Sequence, residues 1–305
     1  YTNGSGGKLY INQRTRAKIP EKFLRKNERY VVLYTASLGG SICGKKLLFI
    51  MAVIDITTWN NESEIWEIRY NILSPYVDEF RVIEFDKTFS GKKKEKQFKQ
   101  NYPKVKHYFI TEEQWSKYWE EAKKSPNTNH GKGAEHWLRE YAMKESIRDC
   151  LTDLKDDDIV FVGDVDEIWD RNALLLPTNW KLKLKVYTYW LNNRSSEEFW
   201  GTLKTTYKDI KNNCLNHLRS HNSLHVRGET DRGWHFTSLA PELNRKLKDS
   251  YTSETYANDW VMSNLDENIK QNRDFLGRNF TYKVDEKDWP EWLKANKDSY
   301  KHLLK

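Results

Sequence analysis

Runs of apolar residues alternate with amphipathic segments along most of the chain. Apolar runs at 30–34, 47–54, 80–85, 108–110 and 159–162 predict buried strands, and the alternating pattern over 182–191 predicts a half-exposed strand. Helical spacing predicts helices over 62–73, 112–123, 133–154, 240–250 and 254–271. The order strand, helix, strand over 47–85 predicts a parallel pair. We therefore expect one α/β domain with a mostly parallel central sheet flanked by helices.

The domain boundaries are predicted from the same pattern. Residues 1–28 are polar and basic with weak periodicity, and we interpret them as an N-terminal arm. The main domain is expected over 29–284. The charged, tryptophan-containing segment 285–305 is expected to form a C-terminal helical tail packed on that domain. A further strand is predicted at 224–227, followed by a turn at 233–236, where a glycine precedes aromatic residues.

Composition narrows the class of protein. Of the 305 residues, 38% are hydrophobic, 31% charged and 14% aromatic, which is a globular rather than a disordered composition. The net charge of +7 favours an anionic partner such as a nucleotide diphosphate or an anionic polymer. Three widely spaced cysteines without a C-x-x-C pair indicate neither a disulfide framework nor a zinc knuckle.

The sequence also bears on the compartment. No apolar run approaches the length of a membrane span, and no signal peptide is recognisable. We therefore expect a soluble cytoplasmic protein without a membrane span, and a removed targeting segment is the open alternative.

One short stretch concentrates the candidate chemistry. The predicted strand at 159–162 runs into Gly163 and then into three carboxylates, Asp164, Asp166 and Glu167. In an α/β fold, ligands bind at the carboxyl ends of the strands, where such carboxylates repel one another unless a cation or solvent lies between them. Oxygen ligands suit Mg²⁺ or Mn²⁺, and a nucleotide diphosphate completes the coordination shell of such ions. The pattern predicts a metal-binding turn, with a solvated acidic turn as the alternative.

Histidine and basic residues supply further candidates. His235 is a second predicted metal ligand, and imidazole beside carboxylate favours Mn²⁺ over Mg²⁺. A histidine packed beside Trp234 is the alternative. Arg69, Arg139 and Lys92 lie near predicted strand ends or on flanking helices, where such residues clamp phosphate or simply pair with surface acids.

Several enzyme classes are excluded by missing motifs. The sequence has no G-x-x-x-x-G-K-[ST], no G-x-G-x-x-G and no G-x-S-x-G, which excludes P-loop, Rossmann dinucleotide and serine-hydrolase sites. No H-x-x-x-H pair encloses an acid, which disfavours a zinc hydrolase.

Five stretches in the same order resemble glycosyltransferase family 17, which includes enzymes that add the bisecting N-acetylglucosamine to N-glycan cores. They lie at 61–70, 77–84, 88–92, 164–168 (D-V-D-E-I) and 233–236 (G-W-H-F), with Asp274 and Arg278 resembling a final element. The resemblance implies a GT-A-type fold, a UDP-sugar donor, a divalent metal (Mn²⁺ or Mg²⁺) and inversion at the anomeric carbon. Carried onto this chain, it implies donor-binding residues Arg69, Glu84, Lys92, Arg139, Asp164 and Trp234, and metal ligands Asp164, Asp166 and His235.

Two positions depart from the family pattern. Trp169 stands where the family has a proline after D-V-D-E-I, and this change is expected to reshape the donor or acceptor pocket. Residues 250–254 lack the family's histidine, so that Glu254 aligns only with a one-residue gap. These departures suggest a divergent member, whose acceptor is not carried over. Glu254, Asp231 and Glu229 are the candidates for the base that takes the proton from the acceptor hydroxyl, and Glu254 is the favoured one.

Four functions stay open at this point. The first is a metal-dependent inverting glycosyltransferase with a carbohydrate or other hydroxyl acceptor. The second is a nucleotidyl-transfer or phosphoryl-transfer enzyme that uses the same acidic turn. The third is a non-catalytic nucleic-acid-binding protein, which the basic charge and many aromatics favour. The fourth combines them, as a sugar transferase whose acceptor is a modified nucleic-acid base.

Overall fold

The computed structural model describes residues 51–99, 101–125, 135–219 and 226–305. The strands are β1 (Val53–Thr58), β2 (Glu79–Phe85), β3 (Val105–Ile110), β4 (Ile159–Asp164), β5 (Glu167–Trp169), β6 (Trp180–Thr188), β7 (Asn193–Thr206), β8 (Val226–Thr237) and β9 (Tyr282–Val284). The α-helices are α1 (Ser63–Leu73), α2 (Glu112–Trp115), α3 (Trp119–Lys124), α4 (Glu135–Ser146), α5 (Tyr207–Asn212), α6 (Leu215–Arg219), α7 (Ala240–Ser250), α8 (Asp259–Lys270) and α9 (Glu291–Ala295). The predicted arm at 1–28 and the predicted strand at 30–34 lie outside these described residues.

The described strands form one mixed sheet in the order β3-β2-β1-β4-β7-β6-β8-β5, with β9 paired to β7. The first half is parallel, because β1 pairs in parallel with both β2 and β4, and β2 with β3. The second half contains antiparallel pairs of β7 with β4, β6 and β9, and of β5 with β8. The expectation of a mostly parallel sheet is therefore wrong. The link between β6 and β7 is short, and a short link joins antiparallel neighbours, whereas parallel neighbours require a long crossover.

The strands that carry the candidate site are buried on both faces, as their apolar runs predict. Along β4, Val160 and Val162 join the core cluster that contains α4, while Phe161 between them joins the opposite cluster. That opposite cluster receives Ile68 from α1 and also Trp289 from the C-terminal segment. Successive side chains of β4 therefore pack into two different core clusters, one on each face of the sheet, which explains why the strand has no exposed face.

The C-terminal segment packs into the same core. After α9, residues Lys297–Leu303 form a 3₁₀ helix. Leu293, Tyr300 and Leu303 are each at most 3% exposed, and α9 contacts α1. The boundary at 285 stays a prediction.

Two local predictions are wrong for identifiable reasons. Residues 233–236 do not form a turn but lie within β8, where Gly233 allows close approach of β5. A Cβ at this glycine would lie 2.2 Å from the carbonyl oxygen of Ile168. The helix predicted from 254 begins only at Asp259, because the side chain of Asn258 caps it by accepting from the Val261 N–H.

The alternation predicted over 182–191 holds for Lys183 and Lys185, which are partly exposed. Lys181 lies just before that range and differs from both. Lys181 is 3% exposed and donates to the carbonyl oxygen of Arg219. Among the helices of the described segments, none is long and apolar enough to cross a membrane.

Candidate active site

The acidic turn (residues 164–167) connects β4 to β5 at the carboxyl ends of two parallel strands. Asp164 is the last residue of β4 and lies opposite Thr58, the last residue of β1. The Thr58 hydroxyl donates to Asp164 Oδ1 over 3.2 Å. The position of the turn is the one that the sequence predicts, at the strand edge where α/β proteins bind ligands.

Arg69 of α1 holds the backbone of this turn. Its guanidinium makes two hydrogen bonds to Asp55 of β1, at 2.8 and 2.9 Å, and both side chains are 0% exposed. Its Nη1 donates to the carbonyl oxygens of Asp164, Val165 and Glu167 over 3.1, 3.3 and 2.8 Å. Arg69 is thus engaged with the protein itself, and it fixes the backbone on which the carboxylates stand.

The first aspartate of the turn faces two cations. Asp164 lies 3.3 Å from Lys144 Nζ of α4 and 3.4 Å from Arg219 Nη1 of α6. Desolvation alone would raise the pKa of Asp164, but these two cations outweigh it and hold the pKa well below the usual range. The same pairing raises the pKa of Lys144, so both groups stay charged.

The second aspartate faces a lysine and a histidine. Asp166 Oδ2 lies 2.6 Å from Lys246 Nζ of α7, and Oδ1 lies 3.5 Å from His235 Nε2 of β8. Burial opposes the charge on Asp166, yet Lys246 and His235 lower its pKa below the usual range. The pKa of His235 is raised in turn, because the attraction of Asp166 exceeds the effect of burial.

Strand pairing fixes the orientation of His235. It lies opposite Glu167 in the β5–β8 register, and its ring stacks on Phe199 with centroids 4.2 Å apart. Its Nδ1 is buried and has no hydrogen-bond partner among the residues that the structure describes. A buried polar nitrogen without a partner is uncommon, since burial removes its water.

Glu167 is the third carboxylate and is 3% exposed. It accepts from the Asp164 N–H and lies 3.5 Å from Arg219 Nη2. Two glycines make room for it, because a Cβ at Gly163 or at Gly201 would lie 2.8 Å from its carboxylate group. Burial and the neighbouring Asp164 raise the pKa of Glu167.

These groups border a cavity of about 280 Å³. Its lining includes the acidic turn, His235, four lysines and three further acids: Lys87, Lys94, Lys144, Lys246, Glu62, Glu140 and Asp249. Glu62 differs from the other acids of this lining, since it has no ion pair within the described parts of the chain. It accepts a hydrogen bond from the Asn60 N–H over 2.6 Å, and burial raises its pKa despite the opposing effect of Lys246.

Helix α7 closes one side of the cavity. Arg245 Nη1 donates to the Asn60 carbonyl oxygen over 2.9 Å, and the Ser90 N–H donates to the Asp249 carbonyl oxygen over 2.8 Å. The helix is thereby tied to the loops after β1 and β2. The predicted residue Lys92 also reaches it, with Nζ 3.3 Å from Asp249 Oδ1.

Of the residues predicted from sequence, Asp164, Asp166 and His235 meet at this cavity. Glu84 lies outside the cavity lining, where it accepts hydrogen bonds from the Gln97 and Phe98 N–H groups and contacts His107. Arg139 donates to the Phe89 carbonyl oxygen and pairs with Glu135, so it holds the loop after β2. Both residues support neighbouring loops, and neither lines the cavity.

Three other predicted residues also fail to line the cavity. The Trp234 indole donates to the Asp288 carbonyl oxygen, and Trp234 precedes His235 on a strand whose side chains alternate between faces. Asp231 lies 3.9 Å from Arg194. Glu254 is exposed in the turn before α8.

The sequence interpretation missed Lys144, Arg219, Lys246 and Glu62. Glu62 had a signal, since it stands in one of the stretches that resemble the family. The three cations had none, because a charge on a helix usually faces solvent, and their contacts depend on how the helices pack.

The described residues contain one group of three potential metal ligands within 4.8 Å of one another: Glu121, Glu145 and Cys214. It is an unfavourable metal site, because Glu145 already accepts from the Leu215 and Asn216 N–H groups at the start of α6. Burial also raises the pKa of Cys214 to about 11, which disfavours the thiolate that a metal needs.

Comparison with known proteins identifies the class and then the family. Residues 44–249, more than half of the chain, match the sequence profile of Glycosyltransferase family 17. The chain is thus a glycosyltransferase. It belongs to glycosyltransferase family 17, as its five motifs suggest.

The other comparisons do not identify a donor or an acceptor for this chain. The crystal structure of mouse xyloside xylosyltransferase 1, apo form, is similar at 8% sequence identity and a TM-score of 0.25, over 46% of this chain and 53% of that chain. No curated protein matches the chain. Family membership favours glycosyl transfer over the nucleotidyl-transfer and nucleic-acid-binding hypotheses, and none of these comparisons supports a nucleic-acid acceptor.

Proposed function

We propose that this glycosyltransferase moves a sugar from a nucleotide-sugar donor, a UDP-sugar, to a hydroxyl acceptor with inversion, in a GT-A arrangement. The observation that carries the proposal is the acidic turn at the carboxyl ends of β1 and β4, surrounded by lysines in one cavity. Such an edge suits a diphosphate, whose negative charge the lysines attract.

The proposed metal is Mn²⁺ or Mg²⁺, held by Asp166 and His235. Their Oδ1 and Nε2 atoms are 3.5 Å apart, and two ligands at about 2.1 Å from one ion lie up to about 4 Å apart. The imidazole favours Mn²⁺. When bound, the ion neutralises charge on the departing diphosphate.

Asp164 has a different proposed role, although its sequence motif suggests a metal ligand. Its carboxylate is shared between Lys144 and Arg219, at 3.3 and 3.4 Å. Lys144 lines the cavity, and Arg219 contacts Asp164 and Glu167, which also line it. Asp164 therefore positions positive charge for the donor phosphates.

Glu62 is the proposed general base. It lines the cavity without a competing ion pair, and its raised pKa brings it nearer to neutrality, where a base is most effective. Glu254 and Asp231 are replaced in this role, because neither reaches the cavity lining. The oxygen of the acceptor hydroxyl bonds to the anomeric carbon as the bond from that carbon to the nucleotide diphosphate breaks. Glu62 accepts the proton that the hydroxyl loses.

The test is product analysis with a panel of UDP-sugars and GDP-sugars, with and without Mn²⁺. Release of UDP, dependent on Asp166 and lost in Asp166→Asn, is the expected result. Release of a nucleoside monophosphate with a sugar phosphate would instead indicate cleavage of the diphosphate and would overturn the proposal. Trp234→Phe is the matched control, since Trp234 lies outside the cavity lining and is expected to leave UDP release unchanged.

A further inference from the structure

The acidic turn is balanced in charge by side chains of the protein itself. Three carboxylates stand on the turn, and in the described part of the chain three permanent cations from different helices contact them: Lys144, Arg219 and Lys246. A divalent ion that enters alone meets these cations, and a diphosphate that enters alone meets the carboxylates. Each ligand is therefore opposed on its own, whereas the two together bring little net charge.

Lys246 is the cation most directly in the path of a metal ion. Its Nζ lies 2.6 Å from Oδ2 of Asp166, the same carboxylate whose Oδ1 faces His235 at 3.5 Å. The carboxylate is thus shared between a lysine and the proposed metal position. Lys246 is 31% exposed along its side chain and lines the cavity, so its ammonium has space to move toward an incoming phosphate.

Helix α7 has several anchors besides this contact. Leu243 and Leu247 are each 1% exposed and pack the helix into a core cluster. The same helix is also tied to Asn60 through Arg245, and to Ser90 through the Asp249 backbone. A purely structural ion pair between Lys246 and Asp166 would duplicate these anchors.

We propose that Lys246 is a tethered counterion of Asp166, which makes metal binding depend on the nucleotide diphosphate and then contacts that diphosphate itself. The inference rests on the proposed nucleotide-sugar function. It predicts opposite effects of removing the charge. Without Lys246, Mn²⁺ alone binds Asp166 more tightly, while UDP alone binds more weakly.

The variants are Lys246→Met and Lys246→Gln, the second of which keeps a hydrogen-bond donor near Asp166 without the charge. Lys248→Met is the matched control, since Lys248 is an exposed lysine on the same helix. Calorimetry measures Mn²⁺ affinity without nucleotide, UDP affinity in EDTA, and each affinity in the presence of the other ligand. Circular dichroism verifies the fold.

In the wild type, UDP is expected to strengthen Mn²⁺ binding, and Mn²⁺ to strengthen UDP binding by the same factor. Either Lys246 variant should tighten the binding of Mn²⁺ alone and weaken the binding of UDP alone, each on the order of tenfold. Lys246→Arg, which keeps the charge, should restore the wild-type pattern, and Lys248→Met should not depart from it.

Other outcomes overturn the inference. If Mn²⁺ affinity is unchanged or weaker in both charge-removing variants, Lys246 is only a structural partner of Asp166. If UDP affinity in EDTA is unchanged, the lysine does not reach the diphosphate. A wild-type protein that binds neither Mn²⁺ nor UDP would instead contradict the proposed function, and this result is distinct from wild-type binding with unaltered variants.

Discussion

Replacement of Arg69 by methionine tests whether the acidic turn depends on the buried ion pair below it. Methionine keeps a long apolar side chain but removes the charge and every donor. Among the described residues, the Trp169 indole N–H, at 2.7 Å, would be the remaining hydrogen-bond donor to Asp55, whose side chain is 0% exposed beside Arg69. The three carbonyl oxygens at 164, 165 and 167 would lose a donor at the same time.

The expected loss follows from the burial of both partners. Removal of one member of a buried ion pair costs about 3–5 kcal/mol, because it leaves an uncompensated charge in the interior. A domain of ordinary stability has about 5–15 kcal/mol in total. We therefore expect Arg69→Met to remove about a fifth or more of the free energy of unfolding.

Urea unfolding followed by tryptophan fluorescence measures this loss. The double variant Asp55→Asn, Arg69→Met should lose less than the sum of the single variants, because it leaves no unpaired buried charge. Arg81→Met is the matched control. Arg81 is 1% exposed, but its two carboxylate partners, Asp153 and Glu79, are 53% and 21% exposed and keep contact with solvent when the arginine is removed.

Two results would refute this reasoning. A loss below about 1 kcal/mol for Arg69→Met would mean that Asp55 is hydrated or protonated at little cost. A loss for Arg81→Met equal to that for Arg69→Met would mean that partner burial does not decide the magnitude.

Three further predictions concern the site and the buried lysines. Gly163→Ala should destabilise the protein by about 1–3 kcal/mol in urea unfolding, since the new Cβ would lie 2.8 Å from Glu167 Oε2, and an unchanged midpoint would contradict the close packing. Glu62→Gln should lower kcat by about 10²–10⁴-fold with little change in donor KM. It should also abolish an acid limb that the raised pKa of Glu62 places above the usual carboxyl range, and a surviving limb would assign the base elsewhere. Burial lowers the pKa of Lys181 and of Lys204 to about 8, so the unfolded chain binds more protons between pH 8 and about 10.5, and stability rises with pH across that window. The free energy of unfolding of Lys181→Met or Lys204→Met, taken relative to wild type, should therefore fall by about 3 kcal/mol from pH 7 to pH 10.5. A difference that stays constant with pH would show that the lysine is hydrated.

The sequence predicts the acidic turn correctly because its signals are local. An apolar run long enough for a doubly buried strand ends in clustered carboxylates, and both features lie within a dozen residues. The same holds for α1 and for the parallel pair of β1 and β2. The antiparallel pairs of the sheet are not predicted, because strand partners are chosen by long-range packing that periodicity does not encode.

The roles of charged residues are predicted less well than their positions. Arg69 stands in a motif that suggests a phosphate clamp, yet it binds Asp55, which lies 14 residues earlier on β1. Lys246 and Lys144 have the spacing of ordinary solvated helix residues, yet both reach the acidic turn. Sequence alone does not show which face of a helix meets a distant strand end, and this choice decides whether a charge is a surface feature or part of a site.

The tryptophan at 169 shows where the departure from the family pattern acts. Trp169 is 0% exposed and does not line the cavity, so the reshaping of the pocket that the sequence interpretation expects would have to be indirect. Its ring stacks on Phe161 with centroids 4.0 Å apart, and its indole donates to the carboxylate of Asp55. A proline at this position supplies neither the ring nor the donor. Trp169 and Arg69 therefore share the carboxylate of Asp55, and Arg69 in turn holds the backbone of the acidic turn.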